Sequence, residues 1–261
     1  MAGLLAERIA IVSDIHANLA AFEAVLDDIA AQGVTAIFNL GDTVGYGPDP
    51  EACIDLAAAD CRVNLCGNHD YAVLHTAEGF NPVAKGAIDH HRFRLHPEAG
   101  ASEDILRRWA WLQGRETTCA DPVFEAMHAS PRNPIAEYIL PSDPELDPHK
   151  IHDIFQAMTR PVAFVGHTHF PGVVEEGRRT FIHPSQLDGE RFRLTDAPVI
   201  VNVGSVGQPR DRDPRSCYVV FDGETALYRR VAYDIEATVT KVNATDGALH
   251  AICGLRLREG R

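Results

Sequence analysis

Near its start the chain carries a short apolar run, residues 8–13 (RIAIVS), that stops abruptly at Asp14-Ile15-His16. Its length and β-branched content predict a strand buried on both faces. From Leu19 the period changes, with Leu19, Phe22, Leu26 and Ile29 recurring at helical spacing until Gly33 supplies a stop. The alternation repeats: a strand around Thr35 to Leu40 runs into GDTVGYGP, a helix covers about Pro50 to Ala59, and a strand at Arg62 to Leu65 runs into CGNHD. Strands and helices in this order predict βαβ units and a mainly parallel α/β sheet, whose ligands lie beyond the carboxyl ends of the strands.

Residues 79 to about 115 carry a helical pattern, and the paired tryptophans of WAW are assigned to packing; the helical segment as a whole covers about 71–118. Residues 131–148 are rich in Pro, Asp and Glu, which predicts a surface loop bordering the substrate site, within a loop-rich segment at about 131–160. Strand character returns in VAFVGHTH, PVIVNVGS, SCYVVFDG and TALYRRVAY, the last two reading as a hairpin around Asp222-Gly223. No fixed-period repeat is present, so residues 1–261 are read as a single domain containing these two segments.

With 261 residues, 45% of them hydrophobic, the chain is large enough to bury a substantial core. No run approaches the roughly 18 to 20 apolar residues of a membrane-spanning helix, and the opening MAGLLAERIAIVSD meets Arg8 and Asp14 too early for a secretion signal. A cytoplasmic protein without a membrane partner is expected. The six cysteines form no CxxC pair, which fits reduced, buried thiols. A net charge of −13 weighs against sequence-independent binding to duplex nucleic acid, so any phosphate must be attracted by local positive charge. Nothing in the pattern sets an oligomeric state.

Metal-ligand residue types recur at five points, each just after an apolar run: Asp14-Ile15-His16, Gly41-Asp42, Gly67-Asn68-His69-Asp70, Met127-His128 and Gly166-His167-Thr168-His169. Carboxylate with imidazole suits borderline divalent cations, and no thiolate lies at the five points. Each point also has a structural reading: Asp14 as a helix cap, Asp42 as a turn residue, His128 as a satisfied core histidine. His167 and His169 are stronger, because alternate residues of an extended segment face the same way.

The ordered set SDIH, GD, GNHD, MHAS and GHTH resembles the calcineurin-like metallophosphoesterase superfamily, over Arg8 to about Tyr233. GDTVGYGPDP, GNHDY and VNVGSVGQPRDRDPRSCY further resemble its small bacterial and archaeal YfcE-like phosphodiesterase branch. The resemblance implies a four-layer αββα sandwich of two mixed β-sheets flanked by helices, and hydrolysis of phosphate esters at a dinuclear metal site. By it, Asp14, His16 and His169 hold one divalent cation, Asn68, His128 and His167 the other, and Asp42 bridges them. Manganese is the first expectation, with iron, zinc, nickel or cobalt as alternatives. His69 is left free to act on substrate, near the leaving-group oxygen as an acid or by stabilising charge on the phosphoryl group. Two cations with two aspartates and a bridging hydroxide leave the site with about one net positive charge, enough to draw in a phosphate despite the acidic surface. Ions about 3.5 to 4 Å apart clamp an in-line displacement and lower the pKa of bound water from 15.7 toward roughly 7, so no side-chain nucleophile is needed and Ser13, Ser130 and Ser205 are read as structural.

In the superfamily branch that includes the protein phosphatases the second block reads GDxxD, and its last Asp orients the catalytic His; that position here is Gly45. Asp70 or a main-chain carbonyl is the candidate replacement. Because an unsupported His69 is a weaker acid, the expected preference leans to phosphodiesters over phosphomonoesters. Asn68, Tyr46 and Arg210 are candidate substrate contacts, although Arg210, Arg212 and Arg215 have a rival reading as partners of Asp211 and Asp213. His90, His91, His149 and His152 lie in polar stretches and are expected to be solvated. The alternatives are a protein or small-molecule phosphatase and, from another class, a non-catalytic metal-binding scaffold.

Overall fold

The computed structural model describes residues 7–245, 247 and 249–261. The first third follows the alternation read from the sequence: β1 (Ile9–Val12), α1 (Leu19–Ala31), β2 (Ala36–Asn39), α2 (Pro50–Asp60) and β3 (Val63–Asn64). Three helices follow, α3 (Asn68–Leu74), α4 (Pro82–Leu95) and α5 (Glu103–Gln113), then β4 (Thr118–Ala120) and β5 (Phe124–Met127). The segment after β5 holds α6 (Asp143–Leu146) and α7 (Pro148–Gln156). The remainder comprises β6 (Val162–Val165), β7 (Gly172–Glu175), β8 (Phe181–Ile182), β9 (Arg191–Arg193), β10 (Val199–Asn202), β11 (Ser216–Phe221), β12 (Thr225–Val231), α8 (Ile235–Asn243) and α9 (Ile252–Glu259).

The strands form two six-stranded sheets, ordered β3-β2-β1-β11-β12-β9 and β4-β5-β6-β10-β7-β8. Strand–helix alternation accounts only for the parallel pairings of β1 with β2, β2 with β3 and β5 with β6; β10 also runs parallel to β6, but strands β7 to β9 rather than an α-helix connect them. The other pairings are antiparallel, including the β11–β12 hairpin around Asp222 and Gly223. Both sheets are therefore mixed, as the family resemblance implies and the alternation alone does not.

Four layers follow from strand side chains that are apolar on both faces. Ile9 and Ile11 enter the core between the sheets with Phe124, Phe164 and Phe221, whose rings meet near-perpendicular at 5.1 to 6.2 Å. Ala10 and Val12, one residue out of phase, pack instead on Phe22, Val25 and Ile29 of α1. On the outer face of the second sheet, Ala163 and Val165 pack on Ile151, Ile154 and Phe155 of α7. Trp109 and Trp111 pack against the cluster that joins α3, α4 and α5, in the packing role expected of them. The cysteines are free thiols, buried except for half-buried Cys119, and burial pushes Cys61 and Cys66 up. Among the described residues no helix is long and apolar enough to cross a membrane.

Candidate metal centre

Every candidate ligand lies at or just past the carboxyl end of a strand, drawn from both sheets: β1 delivers Asp14 and His16, β2 Asp42, β3 Asn68, β5 His128, and β6 His167 and His169. Main-chain bonds lace these loops together. Asp14 and His16 donate their N–H groups to Gly41 O (3.0 Å) and Asp42 O (2.9 Å), and Gly166 donates to His128 O (2.8 Å). From behind, Ser205 Oγ donates to Asp14 O at 2.9 Å and accepts from Gln208 N at 2.8 Å. Gly67 is required for the close approach of two loops, since a Cβ there would lie 2.1 Å from Asp42 Oδ1.

Five of the seven candidate ligands have left-handed backbone: Asp14 (φ 55), His16 (φ 50), Asp42 (φ 52), His167 (φ 64) and His169 (φ 63). Only nine non-glycine residues among those described have positive φ, so the strain is concentrated here, at about 1–2 kcal/mol each.

Each aspartate is held by one oxygen and presents the other. Asp14 Oδ2 accepts from His167 N at 3.0 Å and Asp42 Oδ1 from His69 N at 2.7 Å. Asp14 Oδ1 then stands 3.2 Å from His169 Nε2 and 3.7 Å from His16 Nε2. Asp42 Oδ2 stands 3.3 Å from His128 Nε2 and 3.7 Å from His16 Nε2. Asn68 Oδ1 completes the second side, 3.0 Å from His128 Nε2.

The donor pattern tests whether a cation fits. His16 Nδ1 faces Val44 O at 3.1 Å and His169 Nδ1 faces Gln208 O at 2.5 Å, so both rings donate from Nδ1 and carry a lone pair at Nε2. Those lone pairs face each other across 3.0 Å beside a carboxylate oxygen. Neutral rings in this tautomer leave no hydrogen to share between them, and Asp14 Oδ1 and His167 Nε2, both buried, have no hydrogen-bond partner. Three sets of donor atoms lie mutually within 4.8 Å: Asp14, His16 and His169; His16, Asp42 and His69; Asp42, His128 and His167. A divalent cation would supply the charge these acceptors lack, so the residues fit one.

Protonation of four of the five histidine rings is consistent with this fit. Burial holds His16 and His169 below the usual imidazole range and takes His167 down to about 3 and His69 to about 4, so these rings are neutral near pH 7. Burial also opposes ionisation of Asp14, but the charges that His169 and His128 carry when protonated outweigh it and hold the carboxyl below its usual range. His128 alone is raised, to about 9; burial works against it and the Asp42 charge prevails.

Asp70 does not meet the expectation placed on it. At the third position of α3 its carboxylate accepts from the N–H groups of Gly67 (3.0 Å), Thr43 (3.3 Å) and Val44 (3.1 Å), tying the GD loop to the GNH loop. It has no oxygen directed at His69, whose Nδ1 is buried without a hydrogen-bond partner. Asp70→Ala leaves three buried donors unsatisfied at about 1–3 kcal/mol apiece before relaxation, so a urea melt is expected to show a loss of about 3 kcal/mol. A loss under about 1 kcal/mol would contradict that clamp.

Among the remaining candidates, Tyr46 is buried between the His16 and His69 rings, with centroids 4.8 and 4.7 Å away. Arg210 is half-buried, donates to Gln208 Oε1 at 2.8 Å and has its guanidinium carbon 5.8 Å from the Tyr46 ring centroid. The rival reading of that segment holds only in part: Arg215 pairs with Asp213, while Asp211 pairs with Arg230 and His183. Among the described residues Arg210 makes no ion pair. His149 and His152 are exposed, but the expectation for His91 fails. It is fully buried in α4 with both ring nitrogens hydrogen-bonded, because its environment comes from the Gly45–Gly47 loop rather than from its polar sequence neighbours. The spacing Ala84, Ala87, Ile88, His91, Leu95 was the available signal, since it puts His91 on the apolar face. Tyr138, in the Pro-rich loop, covers the His167 ring at 4.1 Å; no pattern in the sequence marked it.

Residues 8–226 match the model of the calcineurin-like phosphoesterase superfamily domain. An uncharacterized protein of Methanocaldococcus jannaschii is 34% identical over 92% of this chain and 93% of its own length. A metallophosphoesterase from Sphaerobacter thermophilus, of known crystal structure, is 35% identical, with a TM-score of 0.81 over 98% of this chain and 100% of that one. A hypothetical protein from Pyrococcus horikoshii shares the fold at 16% identity, with a TM-score of 0.73 over 97% of this chain and 98% of its own.

Proposed function

This chain belongs to the calcineurin-like phosphoesterase superfamily, and from that premise we propose that it hydrolyses phosphate esters at a site for two divalent cations, favouring diesters. The observation that carries the reading is the pair of lone-pair-bearing Nε2 atoms of His16 and His169, 3.0 Å apart beside Asp14 Oδ1. Asp14, His16 and His169 would hold one cation and Asn68, His128 and His167 the other, with Asp42 Oδ2 within reach of both sets. Bound there, such ions would supply Lewis acidity toward the phosphoryl oxygens and would lower the pKa of a coordinated water.

The chain's own groups complete the chemistry. His69 has a ring nitrogen within 4.8 Å of donor atoms of His16 and Asp42, where it can hydrogen-bond the leaving-group oxygen. Arg210, fixed by Gln208 Oε1 and lying by Tyr46, offers a guanidinium to a phosphoryl oxygen, and the Asn68 amide can donate to another. The lean to diesters is supported by the absence, among the described residues, of a carboxylate on His69 Nδ1. Without one the imidazole gives less help to a poor leaving group. A second reading, monoester hydrolysis, is supported by the unpaired Arg210 guanidinium, whose charge suits a dianionic phosphate.

The test is to strip the protein with a chelator, reload it with manganese, iron, zinc, nickel or cobalt, count bound metal, and assay aryl phosphodiesters beside aryl phosphomonoesters. About two ions per chain with diester turnover dominant is the expected result. Turnover of neither ester with any metal would sink the reading, and a dominant monoester rate would select the second one.

A further inference from the structure

We propose that His91 is the positioning residue for the His69 imidazole, acting by clamping the Gly45–Gly47 backbone that walls that ring in. The inference deepens the proposed function and rests on its assignment of His69 to the leaving group.

His91 is fully buried. Its Nδ1 accepts the Gly45 N–H at 2.9 Å and its Nε2 faces Gly47 O at 2.9 Å. An N–H can meet only an unprotonated ring nitrogen and a carbonyl only a protonated one, so the two bonds fix a single neutral tautomer. The clamped segment has φ +101° at Gly45 and φ 55° at Tyr46. For a tyrosine that conformation is disfavoured and has to be imposed by surrounding contacts. Gly47 N also donates to His16 O at 2.9 Å, which ties the same segment to the first ligand loop.

The segment in turn confines His69. A Cβ on Gly45 would lie 2.4 Å from His69 Nδ1 and 3.1 Å from His16 Nδ1, so the bare glycine backbone is one wall of the ring. Tyr46 at 4.7 Å, His16 at 4.8 Å and Phe80, edge-on at 5.1 Å, form the others. With no hydrogen bond at Nδ1, the orientation of His69 comes from these walls, and His91 holds the one made by Gly45 and Tyr46. Asp70 is not available for this task, because its carboxylate is committed to three main-chain N–H groups. The arrangement also makes the α3–α5 segment part of the reacting centre, since His91 belongs to α4.

Full-length, metal-loaded His91→Phe, His91→Asn, His69→Ala and the double variant His69→Ala/His91→Phe test the proposal. His91→Phe is expected to lower kcat roughly 10–100-fold, the range for loss of a partner that orients a working group, with KM changed less than about threefold and metal content at the wild-type level. His91→Asn, whose Oδ1 can take the Gly45 N–H in place of Nδ1, is expected to recover most of the loss. In the His69→Ala background His91→Phe is expected to add nothing, because its effect passes through the missing ring. Wild-type kcat in His91→Phe, a full additional loss in the double variant, or a loss that tracks missing metal would each overturn the proposal. Should His91→Phe not fold, His91→Gln replaces it, keeping a donor for Gly47 O and losing the Gly45 bond; wild-type kcat there has the same force. Unchanged kcat in His69→Ala itself would instead strike the underlying assignment, so the two failures are distinguishable.

Discussion

Asp42→Asn is expected to abolish turnover and cation binding together. The substitution keeps Oδ1 as acceptor for His69 N–H, so the loop geometry survives while the charge within reach of both ligand sets is removed. Loss of a second-sphere partner costs roughly 10–100-fold in metal affinity or activity, and removal of a shared charged ligand must exceed that. Thermal unfolding gives an independent reading. A ligand at 100 times its Kd stabilises the folded state by about 2.7 kcal/mol, worth on the order of 5–10 °C in Tm for a chain of this size. Wild-type protein should show that rise on adding manganese after chelation, and Asp42→Asn should show almost none. A variant that still binds metal fully and turns over near the wild-type rate would remove Asp42 from the centre.

His69→Ala is expected to lower kcat by roughly 10²–10⁴-fold while metal content and Tm stay near wild type. Its side chain is buried and has no hydrogen bond at Nδ1, so its loss breaks no main-chain pairing described above. The deficit should be largest for esters with poor leaving groups and shrink for activated aryl esters, because only the former need assistance at the departing oxygen. A uniform deficit across leaving groups would instead assign His69 to charge stabilisation on the phosphoryl group. Cells that function normally with His69→Ala despite abolished hydrolysis would favour the scaffold reading.

How far the sequence foretold all this depends on the range of the forces involved. The β1–α1–β2–α2–β3 run was legible because its period changes are local, and Ile9 to Val12 carry enough apolar character to bury both faces of a strand. The seven ligand candidates were legible because a divalent centre restricts side-chain chemistry severely, and the structure brings all seven together. The short strands β7, β8 and β9 have no marked period or following polar block in the sequence, and α8 and α9 lie beyond Tyr233, past the end of the family resemblance. His91 and Asp70 were misjudged for one shared reason: their partners, Gly45 and Gly47 for one, Thr43 and Val44 for the other, are 26 to 46 positions away. Chain neighbours say little about such distant hydrogen bonds.

The left-handed turns at Asp14, His16, Asp42, His167 and His169 carry an evolutionary consequence. Asparagine would relieve part of that strain, and at Asp14 and Asp42 it would keep the side-chain oxygen that accepts a main-chain N–H, so a thermostability campaign run on metal-free protein and blind to turnover should enrich it at those two codons and deliver hardier, inert descendants. Selection on resilience of the bare chain and selection on chemistry would therefore pull this protein's loops in opposite directions.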